Sequence, residues 1–145
     1  MDVKDFFTEE QKALIKSAIE KAEHKTSGEI RLHLENDCKG DAVERAVVLF
    51  HRLRMEKTKQ RNAVLFYLAV NHKKLAVVGD EGIHQKVSDA FWTKVKDHMI
   101  ARFKTGQYTE GLCEGIDMAG VEMKKHFPHD KDTINELPDD ISFGN

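Results

Sequence analysis

The residues best suited to chemistry lie just after the second of two apolar runs. Gly79, Asp80, Glu81 and Gly82 place two adjacent carboxylates between two glycines. Carboxylates are preferred ligands of hard cations such as Ca²⁺ and Mg²⁺, and glycine lets the backbone turn sharply and a ligand approach closely. His84 follows and adds a group that can serve as a general acid or a ligand. The alternative interpretation is a solvated turn at the start of a helix.

The chain around these carboxylates predicts a β-hairpin. Two apolar runs, residues 63–70 and 75–78, are joined by a short polar connection. A hairpin brings its two outer ends together, so Arg61 and Asn62 are expected beside the acidic pair. The amide oxygen of Asn62 would add an ion ligand, whereas the alternative is that Asn62 bridges the base of the hairpin.

A strand–helix–strand pattern precedes the hairpin. Residues 29–35 alternate between polar and apolar side chains, which predicts a half-buried strand whose polar face is exposed or only partly covered. A helix is expected before this strand and another after it, capped by Asp41. A right-handed crossover to residues 63–70 makes the two strands parallel. Glu29 then lies at the same end of the sheet as the acidic pair, as a third carboxylate.

Two more helices are expected, over residues 87–103 and 108–127, on the faces of the sheet. The predicted fold class is therefore α/β, a three-layer α/β/α sandwich around a small mixed β-sheet. Residues 1–128 would form this domain and residues 129–145 an acidic C-terminal tail, partly docked through apolar side chains. A competing ion site lies at the opposite end of the sheet, where Glu35, Asp37 and Asp41 follow the carboxyl end of the first strand.

Bulk properties exclude several classes of protein. A length of 145 residues suits one domain with a real core. A formal net charge of −2 supplies no global field to recruit nucleic acid. The longest apolar run is far too short to cross a bilayer, and no signal peptide is recognisable. With Cys38 and Cys113 in unlike contexts, reduced thiols and a cytoplasmic location are expected.

The order and spacing of four segments resemble the TPM domain over residues 5–127. They are TSGEI at residues 26–30, NAVL at residues 62–65, GDEGI at residues 79–83 and FxxGxYxxGLxxG at residues 103–115. The resemblance implies an α/β/α sandwich that binds calcium or similar ions at acidic sites, with weak hydrolysis of phosphate esters in some members. Asp89 matches an aspartate common in the family, whereas His84 stands where relatives carry a glutamate.

The sequence thus predicts a bacterial, single-domain TPM-type protein without a signal peptide or membrane anchor. Its expected function is to bind Ca²⁺, or alternatively Mg²⁺, as a calcium-responsive binding or regulatory module that contacts a protein partner but neither nucleic acid nor membrane. A weak metal-assisted acid phosphatase acting on phosphate monoesters is the alternative, and a metal-free adaptor is the third. The predicted ion ligands are Asp80, Glu81, Glu29 and Asn62, with His84, Asp89 and Arg61 as accessory residues.

Overall fold

Strands and helices alternate along the chain largely as the sequence predicts. The structure is a computed structural model that describes residues 2–129 and 141–144. After a short 3-10 turn (Val3–Asp5), the helices are α1 (Glu9–Glu23), α2 (Ala42–Arg52), α3 (Glu81–His84), α4 (Asp89–Lys104) and α5 (Tyr108–His126). The strands are β1 (Glu29–Glu35), β2 (Ala63–Ala69), β3 (Lys74–Gly79) and β4 (Ser142–Phe143).

The four strands form one mixed sheet in the order β3-β2-β1-β4. β1 is parallel to both β2 and β4, and β2 is antiparallel to β3. Glu29 lies opposite Ala63, and Val64 lies opposite Gly79. The starts of β1 and β2 therefore meet the end of β3 at one end of the sheet, which we call the hairpin-base end. The finish of β1 and β2 forms the opposite, carboxyl end.

Helices cover both faces of the sheet, which confirms the predicted α/β/α sandwich. Every residue of β2 is buried, as its uncharged sequence predicts. On one face, Val64, Phe66 and Leu68 of β2 join a core built with α1, α4 and α5. On the other face, Leu65 and Tyr67 pack with Leu49 and Phe50 of α2.

A capping box is present in full at the start of α1. The backbone N–H of Gln11 donates to Thr8 Oγ1 at 3.1 Å, and the backbone N–H of Thr8 donates to Gln11 Oε1 at 2.9 Å. These two bonds satisfy amides that have no partner within the helix. α1 can therefore begin sharply at Glu9, directly after the opening turn.

β1 departs from its predicted half-exposed character. Glu29, His33 and Glu35 all lie on its polar face, and all three are buried. Alternation of polar and apolar residues predicts exposure only when the polar side chains have no partners inside the protein, and Glu35 has several. The outer edge of β1 is also covered in part, because β4 pairs with it and Glu23 Oε2 accepts the backbone N–H of Ile30 at 2.9 Å.

The C-terminal segment contributes the last strand of the sheet. Ile141 and Phe143 are half-buried and pack against the larger core. Ile134 and Leu137, which the sequence also suggests as docking residues, lie outside the described residues, so the boundary after residue 128 stays a prediction. Among residues 2–129 and 141–144, no helix has both the length and the apolar character needed to cross a membrane.

Candidate functional site

At the hairpin-base end, the two predicted carboxylates share one guanidinium. Arg61 donates from Nε to Asp80 Oδ2 at 2.7 Å and from Nη2 to Asp80 Oδ1 at 2.9 Å. Its Nη1 also contacts Glu81 Oε1 at 3.2 Å. The hydrogen bonds that Arg61 donates to Asp80 raise the pKa of Arg61 above its usual value. We call these three residues the hairpin-base cluster, in which one positive charge offsets part of the acidic pair.

Asp80 also has a structural role in this cluster. It is 7% exposed, and its Oδ1 accepts the backbone N–H of Glu81 at 2.8 Å, so that it caps α3. The flanking glycines leave no open room for a ligand. A Cβ on Gly82 would lie 2.2 Å from the carbonyl oxygen of Gln60, and one on Gly79 would lie 2.7 Å from Ile83 Cγ2. Both glycines therefore permit close packing of the chain on itself.

The other predicted residues occupy separate positions. Asn62 is buried, donates from its backbone N–H to Thr58 Oγ1 at 3.2 Å, and donates from Nδ2 to Ser27 Oγ at 3.3 Å. It thus bridges the hairpin base to the turn that precedes β1. His84 is exposed at the end of α3. Asp89 is exposed in the first turn of α4, where Ser88 is the cap.

The contact between the Asn62 backbone and Thr58 has a defined direction. The Asn62 N–H donates and the Thr58 hydroxyl oxygen accepts, which satisfies the amide just before β2 begins. Glu29 is 2% exposed and occupies the first position of β1, opposite Ala63. The structure therefore places Glu29, Asn62 and the hairpin-base cluster at the same end of the sheet.

A buried polar network lies at the carboxyl end, around Glu35, which the sequence predicts only as part of the competing ion site. Glu35 is fully buried and accepts two hydrogen bonds from Arg45, at 2.9 Å from Nε and 2.6 Å from Nη2. The hydroxyl of Tyr67 donates to Glu35 Oε1 at 2.7 Å. His33 Nε2 lies 3.7 Å from Glu35 Oε2, and His33 Nδ1 lies 2.6 Å from Ser142 Oγ. We call these five residues the Glu35 network.

Burial and pairing shift the proton affinities within the Glu35 network in different directions. Burial alone would raise the pKa of Glu35, but hydrogen bonds from Arg45 and Tyr67 outweigh it and hold this pKa below the usual value. Burial is the main cause that raises the pKa of Tyr67, and the hydrogen bond to Glu35 is the second. The phenol therefore stays protonated as a donor. Burial lowers the pKa of His33. Glu35 is therefore the resident anion of this network.

A signal for this network does exist in the sequence. A tyrosine inside an uncharged, fully buried strand needs a partner for its hydroxyl, and Tyr67 is such a residue. Glu35 ends the neighbouring parallel strand, so it is available as an acceptor. Pairing of these two strands aligns His33 with Tyr67, whose rings stack with centroids 6.3 Å apart.

An open groove lies beside the network, between the loop after β1 and the first turns of α2. Its volume is about 580 Å³. The residues that line it are Asp37, Cys38, Lys39, Gly40, Asp41, Glu44, Arg45 and Val48. Three of these carry carboxylates outside the Glu35 network, and we call this space the carboxyl-end groove.

Two carboxylates of the groove, those of Asp41 and Asp37, already accept hydrogen bonds within the protein. Asp41 Oδ2 accepts the backbone N–H of Glu44 at 2.9 Å and caps α2. Asp37 Oδ1 accepts from Asn71 Nδ2 at 3.1 Å. Within residues 2–129 and 141–144, no three His, Cys, Asp or Glu side chains lie together in a way that would hold a metal ion. An ion in this groove would need the loop to adjust and water to complete its shell.

Cys38 lines the same groove, although its thiol faces inward. It is 5% exposed, and its Sγ lies 3.5 Å from the carbonyl oxygen of Gly40. His72 approaches the backbone of Cys38, with Nδ1 at 2.9 Å from the amide nitrogen. The arrangement orders the loop after β1 and does not present the thiol to a substrate.

The fold and these clusters define a class of protein: a small mixed sheet between helical layers, with polar clusters at both ends of its parallel strands. A sequence model of the TPM domain matches residues 1–122. The chain belongs to the TPM domain family. The predicted resemblance is therefore confirmed.

Solved structures agree with this assignment. The NMR structure of the BA42 protein from the psychrophilic bacterium Bizionia argentinensis is 44% identical, covers 99% of each chain and has a TM-score of 0.92. The N-terminal domain of the cg2496 protein from Corynebacterium glutamicum is 11% identical, with 84% of this chain and 77% of that chain covered and a TM-score of 0.65. The N-terminal domain of a protein from P. gingivalis is 17% identical, with coverage of 89% and 85% and a TM-score of 0.68. The last two show the fold alone, and a search of curated proteins finds no match.

Acidification should destabilise the domain through His33. Burial lowers the pKa of His33 below its ordinary value of 6.5, so the unfolded chain binds this proton more tightly than the folded protein. The free energy of unfolding should therefore fall as the pH drops below 6.5. His33→Gln should remove this part of the slope, measured by urea unfolding at a series of pH values above and below that point. His84→Gln, at an exposed histidine, is the matched control. If His33→Gln keeps the whole slope of the parent, His33 is not its source.

Proposed function

We propose that this TPM domain binds a divalent cation, with Ca²⁺ as the expected ion, and serves as a binding or regulatory module. The observation that supports this best is the carboxyl-end groove, where Asp37, Asp41 and Glu44 surround open volume beyond the parallel strands. Ca²⁺ takes roughly six to eight oxygen ligands, and carboxylates with water and main-chain carbonyls supply them. In open α/β sheets, ligands characteristically bind outside the carboxyl ends of the strands.

Charge balance favours the groove over the hairpin-base cluster. Arg61 contacts both Asp80 and Glu81, so a cation arriving there meets a guanidinium as well as two carboxylates. In the groove, the three carboxylates share the lining with Lys39 and Arg45, and the guanidinium of Arg45 is already held on the buried carboxylate of Glu35. The site that the sequence predicts first, at Asp80 and Glu81 with Glu29 and Asn62, becomes the second position in this proposal, and the same experiment tests it.

A regulatory role follows from the kind of site that the groove offers. Asp41 would keep its capping bond to Glu44 only in part once an ion competes for its oxygens. Binding should therefore be modest in affinity and should rearrange residues 37–44. A site that reorganises a loop on binding suits a responsive module better than a permanent structural ion.

The phosphatase alternative depends on a free cation for the phosphate. Arg61 would have to perform that task, but its three donor nitrogens contact Asp80 and Glu81. A phosphate would have to displace these carboxylates first. Turnover of a chromogenic phosphate ester, with and without Ca²⁺ or Mg²⁺, separates the two functions. Ion-dependent turnover that Arg61→Gln abolishes would favour the phosphatase.

Calcium should raise the melting temperature of the domain. At an ion concentration of ~100 times the dissociation constant, the gain in free energy of unfolding is about 2.7 kcal/mol. For a chain of this size, that corresponds to a rise of roughly 5–10 °C. A triple variant with Asp37→Asn, Asp41→Asn and Glu44→Gln should lose this rise. Asparagine keeps the capping ability at position 41, so the helix start is preserved while the charges are removed.

The matched control neutralises the other end of the sheet, through Asp80→Asn with Glu81→Gln. This variant should keep the calcium-dependent rise, and calcium-induced backbone amide shifts in the parent should cluster at residues 37–44. If the rise disappears only in the control and the shifts map to residues 79–84, the ion binds at the hairpin-base cluster. Absence of shifts at both ends contradicts cation binding and leaves the metal-free adaptor.

A further inference from the structure

The outer edge of β1 already holds a short extended segment of the chain. Ser142 lies opposite His33 and Phe143 lies opposite Leu34, in parallel register. The backbone N–H of Gly144 donates to the carbonyl oxygen of Leu34 at 2.8 Å. Pairing of this kind through the main chain is how many domains bind extended peptides at a sheet edge.

Two positions of the segment contact His33 and Glu35 or come close to them. Ser142 Oγ lies 2.6 Å from His33 Nδ1 and 3.4 Å from the carbonyl oxygen of Leu32, so the hydroxyl joins a side chain to the backbone of β1. At Gly144 there is no room for a side chain. A Cβ there would lie 2.7 Å from Glu35 Oε2 and 2.9 Å from His33 Nε2. The edge therefore selects a small hydroxyl residue and, two positions later, glycine.

Two further positions of the segment make contacts on the opposite face of the sheet. Ile141 and Phe143 are half-buried and, together with Ala13 and two lysines of α1, line an open groove of about 470 Å³. The ammonium of Lys12 lies 5.7 Å from the centre of the Phe143 ring, within the range of a cation–π contact. These contacts favour an apolar residue followed, two positions later, by an aromatic residue.

The attachment of this segment is small compared with the rest of the sheet. β4 spans two residues, and residues 141–144 are all half-buried, whereas β1 and β2 pair over seven residues. Ordering four residues costs backbone entropy comparable with what a few hydrogen bonds and two half-buried side chains return. The contacts of the segment are therefore specific, but the net free energy that holds it on the edge of β1 is small. This is expected of a segment that can be exchanged for another.

We propose that the outer edge of β1 is a peptide-acceptor site that residues 141–144 occupy in cis. The site accepts in their place an extended segment of another polypeptide that reads apolar, serine, aromatic, glycine. The partner segment adds to the sheet in parallel with β1, places its serine on His33, and lays its apolar and aromatic side chains beside α1. The chain's own segment then competes with the partner for one edge.

The test uses the full chain with its own segment displaced. Gly144→Val should clash with Glu35 and His33 and vacate the edge. A fluorescent peptide with the sequence of residues 140–145, capped at both ends, should then bind the variant more tightly than the parent. If the segment occupies the edge for ~90% of the time in the parent, the gain is about tenfold. Peptide-induced amide shifts should map to residues 30–34 and to Lys12.

Controls separate this effect from general loosening of the fold. Gly40→Val makes the same change where a Cβ meets nothing within 4 Å, and it should bind the peptide like the parent. Phe143→Ser removes an anchor without a clash and should reproduce the gain if Gly144→Val folds poorly. A peptide that carries valine at its glycine position should not bind. Failure of the peptide to bind either displaced variant overturns the proposal, as do shifts away from β1. A concentration-dependent dimer that exchanges these segments would replace the partner with a second copy of the chain.

Discussion

Replacing Leu65 with aspartate should unfold the domain or leave it barely stable. Leu65 is fully buried in β2, between β1 and β3, and packs in the core beneath α2. Truncating a buried leucine alone costs about 2–5 kcal/mol, and an unpaired buried charge adds several more. The total approaches the whole stability of a typical domain, about 5–15 kcal/mol. Urea unfolding followed by circular dichroism measures the effect.

Two control variants show whether the position or the new charge is responsible. Leu14→Asp introduces the same residue on α1, where Leu14 is 59% exposed, and should change stability by only ~0.5 kcal/mol. Leu65→Met conserves volume and should cost less than about 1.5 kcal/mol. A Leu65→Asp variant as stable as the parent would contradict the central position of β2.

Removing the carboxylate of Glu35 should have the second largest effect. In Glu35→Ala, the guanidinium of Arg45 and the hydroxyl of Tyr67 lose their shared acceptor inside the protein. Breaking a buried ion pair in this way costs about 3–5 kcal/mol. Because the Arg45 side chain is 28% exposed and can recruit water, we expect the lower end of that range. Denaturant unfolding at neutral pH measures the loss.

The chain offers a matched control for this pair on its surface. Glu114 also accepts two hydrogen bonds from one arginine, Arg102, at 2.8 and 3.0 Å. Its side chain is 37% exposed, so water can replace the lost partner. Glu114→Ala should therefore cost far less than Glu35→Ala. Equal losses from the two variants would mean that burial does not determine the contribution of Glu35.

Local patterns account for the elements that the sequence predicts correctly. Residues 63–70 are uncharged, and this alone indicates a strand buried on both faces. The polar connection that follows indicates the hairpin, whose register then brings Arg61 to Asp80. The capping box at Thr8 and Gln11 is likewise a local signal, and both of its hydrogen bonds are present.

The parts that sequence reasoning missed depend on partners far along the chain. The alternation in β1 predicts an exposed polar face, yet Glu35 is buried because Tyr67, 32 residues later, donates to it. Period-two alternation carries no information about such a partner. Ser142 contacts His33 across 109 residues, and a two-residue strand is too short to give a pattern of its own. The sequence also gives no sign that the backbone of Gln60 packs against Gly82. A glycine that makes room for a ligand and a glycine that makes room for another part of the backbone cannot be told apart in a sequence.

The distance along the chain between β1 and β4 has a consequence for synthesis on the ribosome. α1 precedes β1, so Glu23 can accept the amide of Ile30 as soon as both have emerged. Among the residues that the structure describes, those that cover the half of the edge around Leu34 are residues 141–144, which are translated more than a hundred residues later. In a nascent chain, this half of the β1 edge therefore stays without its β4 partner while the rest of the sheet assembles. Unpaired strand edges are templates for association, so this interval is when the protein is most exposed to chaperones and to aggregation.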